Sequence, residues 1–179
     1  MSIDEAGRRG GEDVIDVDLA PRDGAGRARM VDVAAAPWTH RRAVARGRVL
    51  LGAPTAATLH TSGAGALPGR IGTWGELFDA ARVAGIQAAK QTSALVPLCQ
   101  SLPSSAVTVG LFPSDGTVSI ESRADVVGPT GVEMEALVAC TVAGLTLMGA
   151  LLPFDPDVSM DDVALWETSG GRSGRWLRR

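Results

Sequence analysis

Cysteine and histidine are scarce in this chain, with two of each in 179 residues. Cys99 and Cys140 lie far from one another and from His40 and His60, so the short ligand spacings of a structural zinc site are missing and no metal centre is expected. His40 and His60 read as loop histidines. Two cysteines do not make a disulfide framework, which leaves a reducing, cytoplasmic setting as the expectation. A basic excess is missing as well. The net charge of -3 and a pI near 5.4 argue against a general nucleic-acid binder or a protein drawn to anionic membranes. The opening MSIDEAGRRGGEDVIDVD has no apolar core of the kind a secretory signal needs. Long apolar runs reduce to one, Ala136 to Phe154, which follows Glu133 and Glu135 and is followed by Asp155 and Asp157. Without aromatic or basic anchors at its ends, it is expected to be a buried core helix and not a membrane span.

Lysine is scarcer still. Of 17 basic residues a single one, Lys90, is lysine. Arginine stays protonated, so lysine chemistry within one chain must use Lys90. The plainer reading is a composition bias that replaced surface lysines by arginine.

What is present is an ordinary globular balance, 45% hydrophobic and 21% charged, in a chain of 18.4 kDa. That length predicts one domain, or one domain and a tail, able to bury a core without staples. Residues 1–29 mix both charges with Gly and Pro and show no apolar period. They are expected to be a disordered arm ahead of a single domain over residues 30–179. Asp16 and Asp18 in that arm read as solvated charge.

Arg41 to Leu51 reads as a strand. Residues 54–70 start as a short helix after Pro54 and end as a Gly- and Pro-rich loop. Glu76 to Thr92 carries Leu77, Ala81, Ala84 and Ala88 at helical spacing, a small-residue stripe suited to close packing against a sheet. AVTVGLF and TVSIESRADV alternate, and the four residues PSDG (113–116) between them predict an antiparallel hairpin with one wet face. Thr130 and Glu133 have capping-box spacing ahead of a helix that runs to Leu152 and stops at Pro153. A last strand is expected over residues 162–167. The order strand, helix, strand, strand, helix, strand predicts an α+β, ferredoxin-like βαββαβ fold, with two helices on one face of an antiparallel sheet. The other face is left partly open, which invites oligomerisation.

Four stretches together carry a family resemblance: MVDV at 30–33, ARVAGIQAAKQT at 81–92, LVPLC at 95–99 with GPTGVEMEAL at 128–137, and SGGRSG at 169–174. They resemble the MoaC family, the cyclic pyranopterin monophosphate synthases of molybdenum cofactor biosynthesis. The resemblance implies a ferredoxin-like, cytoplasmic, homo-oligomeric protein, from dimer to hexamer, with sites between subunits and no cofactor. It implies a lyase-type reaction, the rearrangement of a cyclic dihydro-GTP intermediate to cyclic pyranopterin monophosphate with loss of pyrophosphate. The partner is then a purine- or pterin-derived phosphate, with neither nucleic acid nor membrane involved.

Such chemistry needs cations for phosphate and groups that move protons. Here the sequence departs from the family pattern. The family's Lys-Gly-Asp is Trp74-Gly75-Glu76; its Leu-Cys-His-Pro-Leu is Leu98-Cys99-Gln100-Ser101-Leu102. Its Asp-Met-Cys-Lys is Gly149-Ala150-Leu151-Leu152, and the lysine of its Ser-Gly-Gly-Lys-Ser-Gly loop is Arg172. The positions Trp74, Gln100, Gly149 and Leu152 therefore carry no group that can titrate in the lost residues' place. A pseudoenzyme is one reading. A paralogue repurposed for a related purine or pterin nucleotide, or a non-catalytic partner in mixed oligomers, are the others. The binding residues implied are Leu98, Cys99, Gln100, Met134, Glu135, Arg172 and Lys90. Four of them have a plainer alternative: helix-start charge for Glu135, as for Glu133, a solvated turn for Arg172, a helix-end cation for Lys90 and a small core residue for Cys99. Trp74 either stacks on a base or plugs the pocket.

Overall fold

Thr39–Leu50 forms β1, the central strand of the sheet, with small or apolar and charged residues alternating over Ala45–Val49. The computed structural model describes residues 23–30, 32–59, 65–70, 72–102, 105–171 and 174–179. Two compact units divide the chain, Met1–Val31 and Asp32–Arg179. Residues 1–22 of the expected arm lie outside the described residues. Within the first unit, the Asp23 carboxylate accepts from the backbone N–H groups of Ala25 and Arg27, which closes a small turn.

In the second unit, α1 (Ala53–Ala56) follows β1 with Pro54 in its first turn. Then come α2 (Trp74–Lys90), α3 (Thr92–Leu95), β2 (Ala106–Ser114), β3 (Thr117–Gly128), α4 (Glu133–Leu151), β4 (Ser159–Ser169) and β5 (Arg175–Leu177). The sheet order is β2-β3-β1-β4-β5 and every pair is antiparallel. This is the expected α+β arrangement, with β5 added at an edge where the sequence showed no strand.

The pleat of β1 sorts its residues into two sets. Ala43, Ala45 and Val49 are fully buried with Val118, Ile120 and Ala124 of β3. Arg42, Arg46 and Arg48 point to the other face, where they meet Asp125 at 2.8 Å, Glu121 at 2.7 Å and Asp161 at 3.1 Å. The open face is thus a ladder of paired charges. Arg46 also stacks over the Trp166 ring, 4.9 Å from its centroid.

Helix α2 starts two residues earlier than expected because Thr73 caps it. The Thr73 hydroxyl accepts from the Glu76 N–H at 3.3 Å, and the Glu76 carboxylate accepts from the Thr73 N–H at 2.8 Å. The helix buries Trp74, Leu77, Phe78, Ala81, Gly85 and Ala88, so Gly85 takes the place on the stripe that the spacing assigned to Ala84. It ends at Lys90, before the separate turn α3.

The capping box expected at Thr130 does not form. Helix α4 begins at Glu133 after Val132, with no side-chain cap. The Glu133 carboxylate instead accepts from the Thr168 hydroxyl of β4 at 2.7 Å, a tertiary donor that displaces the local one. The hairpin turn is also tighter than expected. Pro113 and Ser114 stay in the ladder opposite Val118 and Thr117, and the chain reverses over Asp115–Gly116 alone. Both have positive φ, 44° and 76°, as a two-residue type I′ turn requires.

Helix α4 is long and apolar enough to cross a bilayer, with a mean hydropathy of 1.7. In this fold it buries Ala136, Ala139, Cys140, Ala143, Leu147 and Leu151 against β1, β3 and α2. The helices α2 and α4 run antiparallel and approach closely at Gly85. A Cβ there would stand 2.7 Å from the Ala139 carbonyl oxygen and 3.1 Å from a Val109 methyl.

Gly85→Ala tests this contact. Alanine is the better helix former by about 1 kcal/mol, but overpacking against a backbone carbonyl costs about 1–3 kcal/mol. The expected result is a net loss of stability, read as a lower denaturant midpoint with an unchanged slope.

Candidate functional site

The residues that carry chemistry gather at the two ends of the helical layer. At one end, α4 begins with Glu133 and Glu135, β1 begins with Thr39 and Arg41, β4 runs out at Ser169, and the chain leaving α3 passes through Leu98–Gln100.

Glu135 is buried, with 5% of its surface exposed. Burial pushes its carboxyl pKa up; its own backbone N–H opposes the rise, and the negative charge of Glu133 adds to it. The same site raises the Cys99 thiol, first through burial and then through the charge of Glu135, so these two residues share one environment. A thiol raised in this way is a weak nucleophile. Gln100 is half-buried, whereas Leu98 and Met134 are exposed, Leu98 in the left-handed region at φ 66°. Lys90 is exposed at the last residue of α2. Arg172 lies outside the described residues, as does His60. His40 is exposed, with Nε2 3.1 Å from an Asp125 carboxylate oxygen.

Arg41 is the residue that sequence reasoning missed. Its Nη2 donates to the Pro129 carbonyl at 3.2 Å. Among the described residues its buried Nε has no hydrogen-bond partner, and neither has the nearby Thr39 hydroxyl oxygen. The guanidinium stands between two cavities. One, of about 430 Å³, is lined by Asp32, Pro37, Thr39, Pro129 and Gly171. The other, of about 150 Å³, is lined by Glu133, Thr168, Gly170 and Trp176. The Gly170–Gly171 pair explains itself here. Both have positive φ, and a Cβ on Gly171 would run into the Arg41 guanidinium, while one on Gly170 would strike the His40 carbonyl. The glycine pair in the sequence signalled a close approach, but nothing in it told Arg41 from its many arginine neighbours. A part-buried guanidinium that lines two cavities is suited to phosphate or carboxylate.

The other end holds Trp74, Gly149 and Leu152. Trp74 is completely buried; its indole Nε1 donates to the Thr58 hydroxyl at 3.2 Å, and its ring centroid is 5.7 Å from that of Phe78. The indole fills core and offers no face to a ligand. Gly149 has open space around it and Leu152 is exposed. The one buried acid nearby, Asp155, accepts from the Gly52 N–H at 2.8 Å and ties the exit of α4 to the entry of α1. Helix α2 has 17 residues and so spans about 25 Å. Within one chain, Trp74 and Glu135 cannot touch the same small ligand. Among the described residues no group of three His, Cys, Asp or Glu side chains gathers to hold a metal ion.

A carboxyl whose pKa is raised by burial costs stability once the pH climbs above its unfolded value, near 4.3, and the cost levels off above the folded value. Glu135→Gln removes that cost. The thermal midpoint at pH 7.5 should rise by about 2–4 °C, the change that ~1 kcal/mol produces in a domain of this size. The gain should disappear below about pH 4, where Glu135 is protonated in both states. Thermal melts at the two pH values make the comparison.

A model of the MoaC family matches residues 30–171. The cyclic pyranopterin monophosphate synthase of Thermomicrobium roseum is 46% identical over 163 residues, covering 90% of this chain and 93% of its own. That of Desulforapulum autotrophicum is 40% identical, covering 89% and 94%. The mitochondrial enzyme of that name from Arabidopsis thaliana is 40% identical over 86% of this chain and 55% of its own length. The match covers most of the chain, including the central strand, the closely packed helix pair and the glycines beside Arg41, and this chain belongs to the MoaC family.

Proposed function

We propose that the protein serves molybdenum cofactor biosynthesis as a cytoplasmic, MoaC-type binder of a phosphorylated purine or pterin, and that it does not carry out the family reaction at a useful rate. That reaction converts a cyclic dihydro-GTP intermediate to cyclic pyranopterin monophosphate. The observation that carries the reading is Trp74, buried in the core with its N–H committed to Thr58, at the position where the resemblance calls for a lysine. Gln100, Gly149 and Leu152 likewise carry no group that moves a proton. Loss of one proton-transfer group lowers a rate by about 100- to 10,000-fold, and loss of several that act together leaves little above background. Binding is supported by the free N–H of Arg41 between its two cavities, and the reading keeps Arg172 as a second cation for the phosphates.

A second reading rests on Glu135. Its raised pKa is what a general acid near neutral pH needs, so turnover of a related nucleotide with Glu135 as the proton carrier is the alternative. The oligomer is part of both readings. The two ends of the helical layer meet at one ligand only if a second subunit, from the same chain or from an intact paralogue, brings its opposite end across.

Expression in a strain lacking its own family enzyme tests the first reading. No rescue of molybdoenzyme activity is expected, and robust rescue would overturn it. Light scattering at micromolar concentration should report a multiple of 18.4 kDa. A monomer alone would remove the shared site.

A further inference from the structure

Trp176 is half-exposed on β5, beside the smaller of the two cavities at Arg41. It is not held there by a loose tail. In the β4–β5 ladder Trp176 pairs with Thr168, flanked by Glu167 with Leu177 and Ser169 with Arg175. Arg175 Nε donates to the Glu167 carboxylate at 2.9 Å, and the Arg178 N–H donates to the Trp166 carbonyl at 2.9 Å. Cross-strand partners present their side chains on the same face. The indole therefore stands next to the Thr168 hydroxyl that holds Glu133 Oε1 at 2.7 Å. Among the described residues no aromatic ring or guanidinium stacks on it. A large apolar ring left in solvent next to a cavity, a fixed carboxylate and a guanidinium is an incomplete stack.

We propose that Trp176 is the ring-binding wall of the Arg41 site, a platform on which the planar base of a nucleotide-type ligand stacks while Glu133 accepts from N–H groups on the base edge. This rests on the reading that the Arg41 end binds a phosphorylated purine or pterin. The chemistry of the wall selects the ligand class. An indole offers its face to any flat heteroaromatic ring. An ionised carboxylate only accepts, so it favours a ring edge that presents N–H donors. The size of the cavities divides the ligand. About 150 Å³ takes a ring edge and little else, while about 430 Å³ on the far side of Arg41 takes the phosphorylated remainder. Arg41 stands between the two and serves both parts. Trp176 is thus a specificity residue for the base, supplied by the one strand that the alternating pattern did not announce.

Calorimetry on the full-length protein with GTP and with inorganic tripolyphosphate tests this. Trp176→Ala should weaken GTP by about tenfold or more, the usual effect of removing a stacking aromatic, and leave tripolyphosphate unchanged. Trp176→Phe should stay within about threefold of the parent, because a phenyl ring still stacks. Thermal melts of both variants confirm that the edge strand tolerates the change. Arg41→Ala should weaken both ligands. If Arg41→Ala weakens both and Trp176→Ala changes neither, the wall is overturned and the phosphate site stands. Equal losses for both ligands in Trp176→Ala would make β5 a structural support and also overturn the wall. If the parent binds neither ligand, or Arg41→Ala changes nothing, the underlying reading fails and the wall with it.

Discussion

The pleat of β1 is the constraint on which the other elements depend. It lies at the centre of the sheet, paired along its whole length with β3 and along most of it with β4. Every second residue is small or branched and fully buried, which leaves room for two helices to lie close to the sheet. On the opposite face Arg42, Arg46 and Arg48 each meet a carboxylate on an adjacent strand. A shift of one residue in register would carry arginines into the core and alanines to the surface, so the register is strongly specified. The start of the same strand delivers Arg41 to the first turn of α4 and to the glycine crossing. A rule that serves packing along most of the strand serves chemistry at its end.

The two ends of the helical layer have gone different ways. Around Trp74 the chain has been made into core: an indole with a satisfied N–H, a neighbouring phenyl ring, and an aspartate used as a staple between loops. Around Glu135 it keeps features that do nothing for stability. A carboxyl is buried against its electrostatic preference, a guanidinium N–H lacks a partner among the described residues, and two glycines take a left-handed path that lets the chain pass close to Arg41. Groups left in such states are what a binding site retains. The contrast between the ends underlies the proposal of binding without the family's turnover.

Sequence patterns read well where the cause is local or periodic. The two long helices, the antiparallel hairpin and the βαββαβ succession of elements followed from periods of 3.6 and 2 and from turn residues. They misread the places where a distant group decides. Thr130 and Glu133 have capping spacing, but the hydroxyl of Thr168, thirty-five residues away from Glu133, supplies the bond. Thr73 and Glu76 have the same spacing and do form the box, since nothing competes for them. Ala84 and Gly85 are adjacent on one helix, and only the position of the Ala139 carbonyl shows why the buried one is glycine. Of the candidate site residues, Glu135 and Cys99 were legible as motif members, whereas Arg41 was one arginine among many.

By itself the sequence determined the α+β class, the family, and the absence of titratable groups at Trp74, Gln100, Gly149 and Leu152, because composition, periodicity and motif spacing are properties of neighbours along the chain. Tertiary structure alone decided three further matters. It buried Trp74 where the sequence allowed either stacking or plugging, since burial depends on Thr58 and Phe78 arriving from other turns. It left the Arg41 Nε without a partner among the described residues, since a missing partner is a fact about the space around an atom and not about its neighbours in sequence. It also set Trp74 and Glu135 at opposite ends of the helical layer, because the seventeen residues of α2 span about 25 Å, a distance that no side chain can cross.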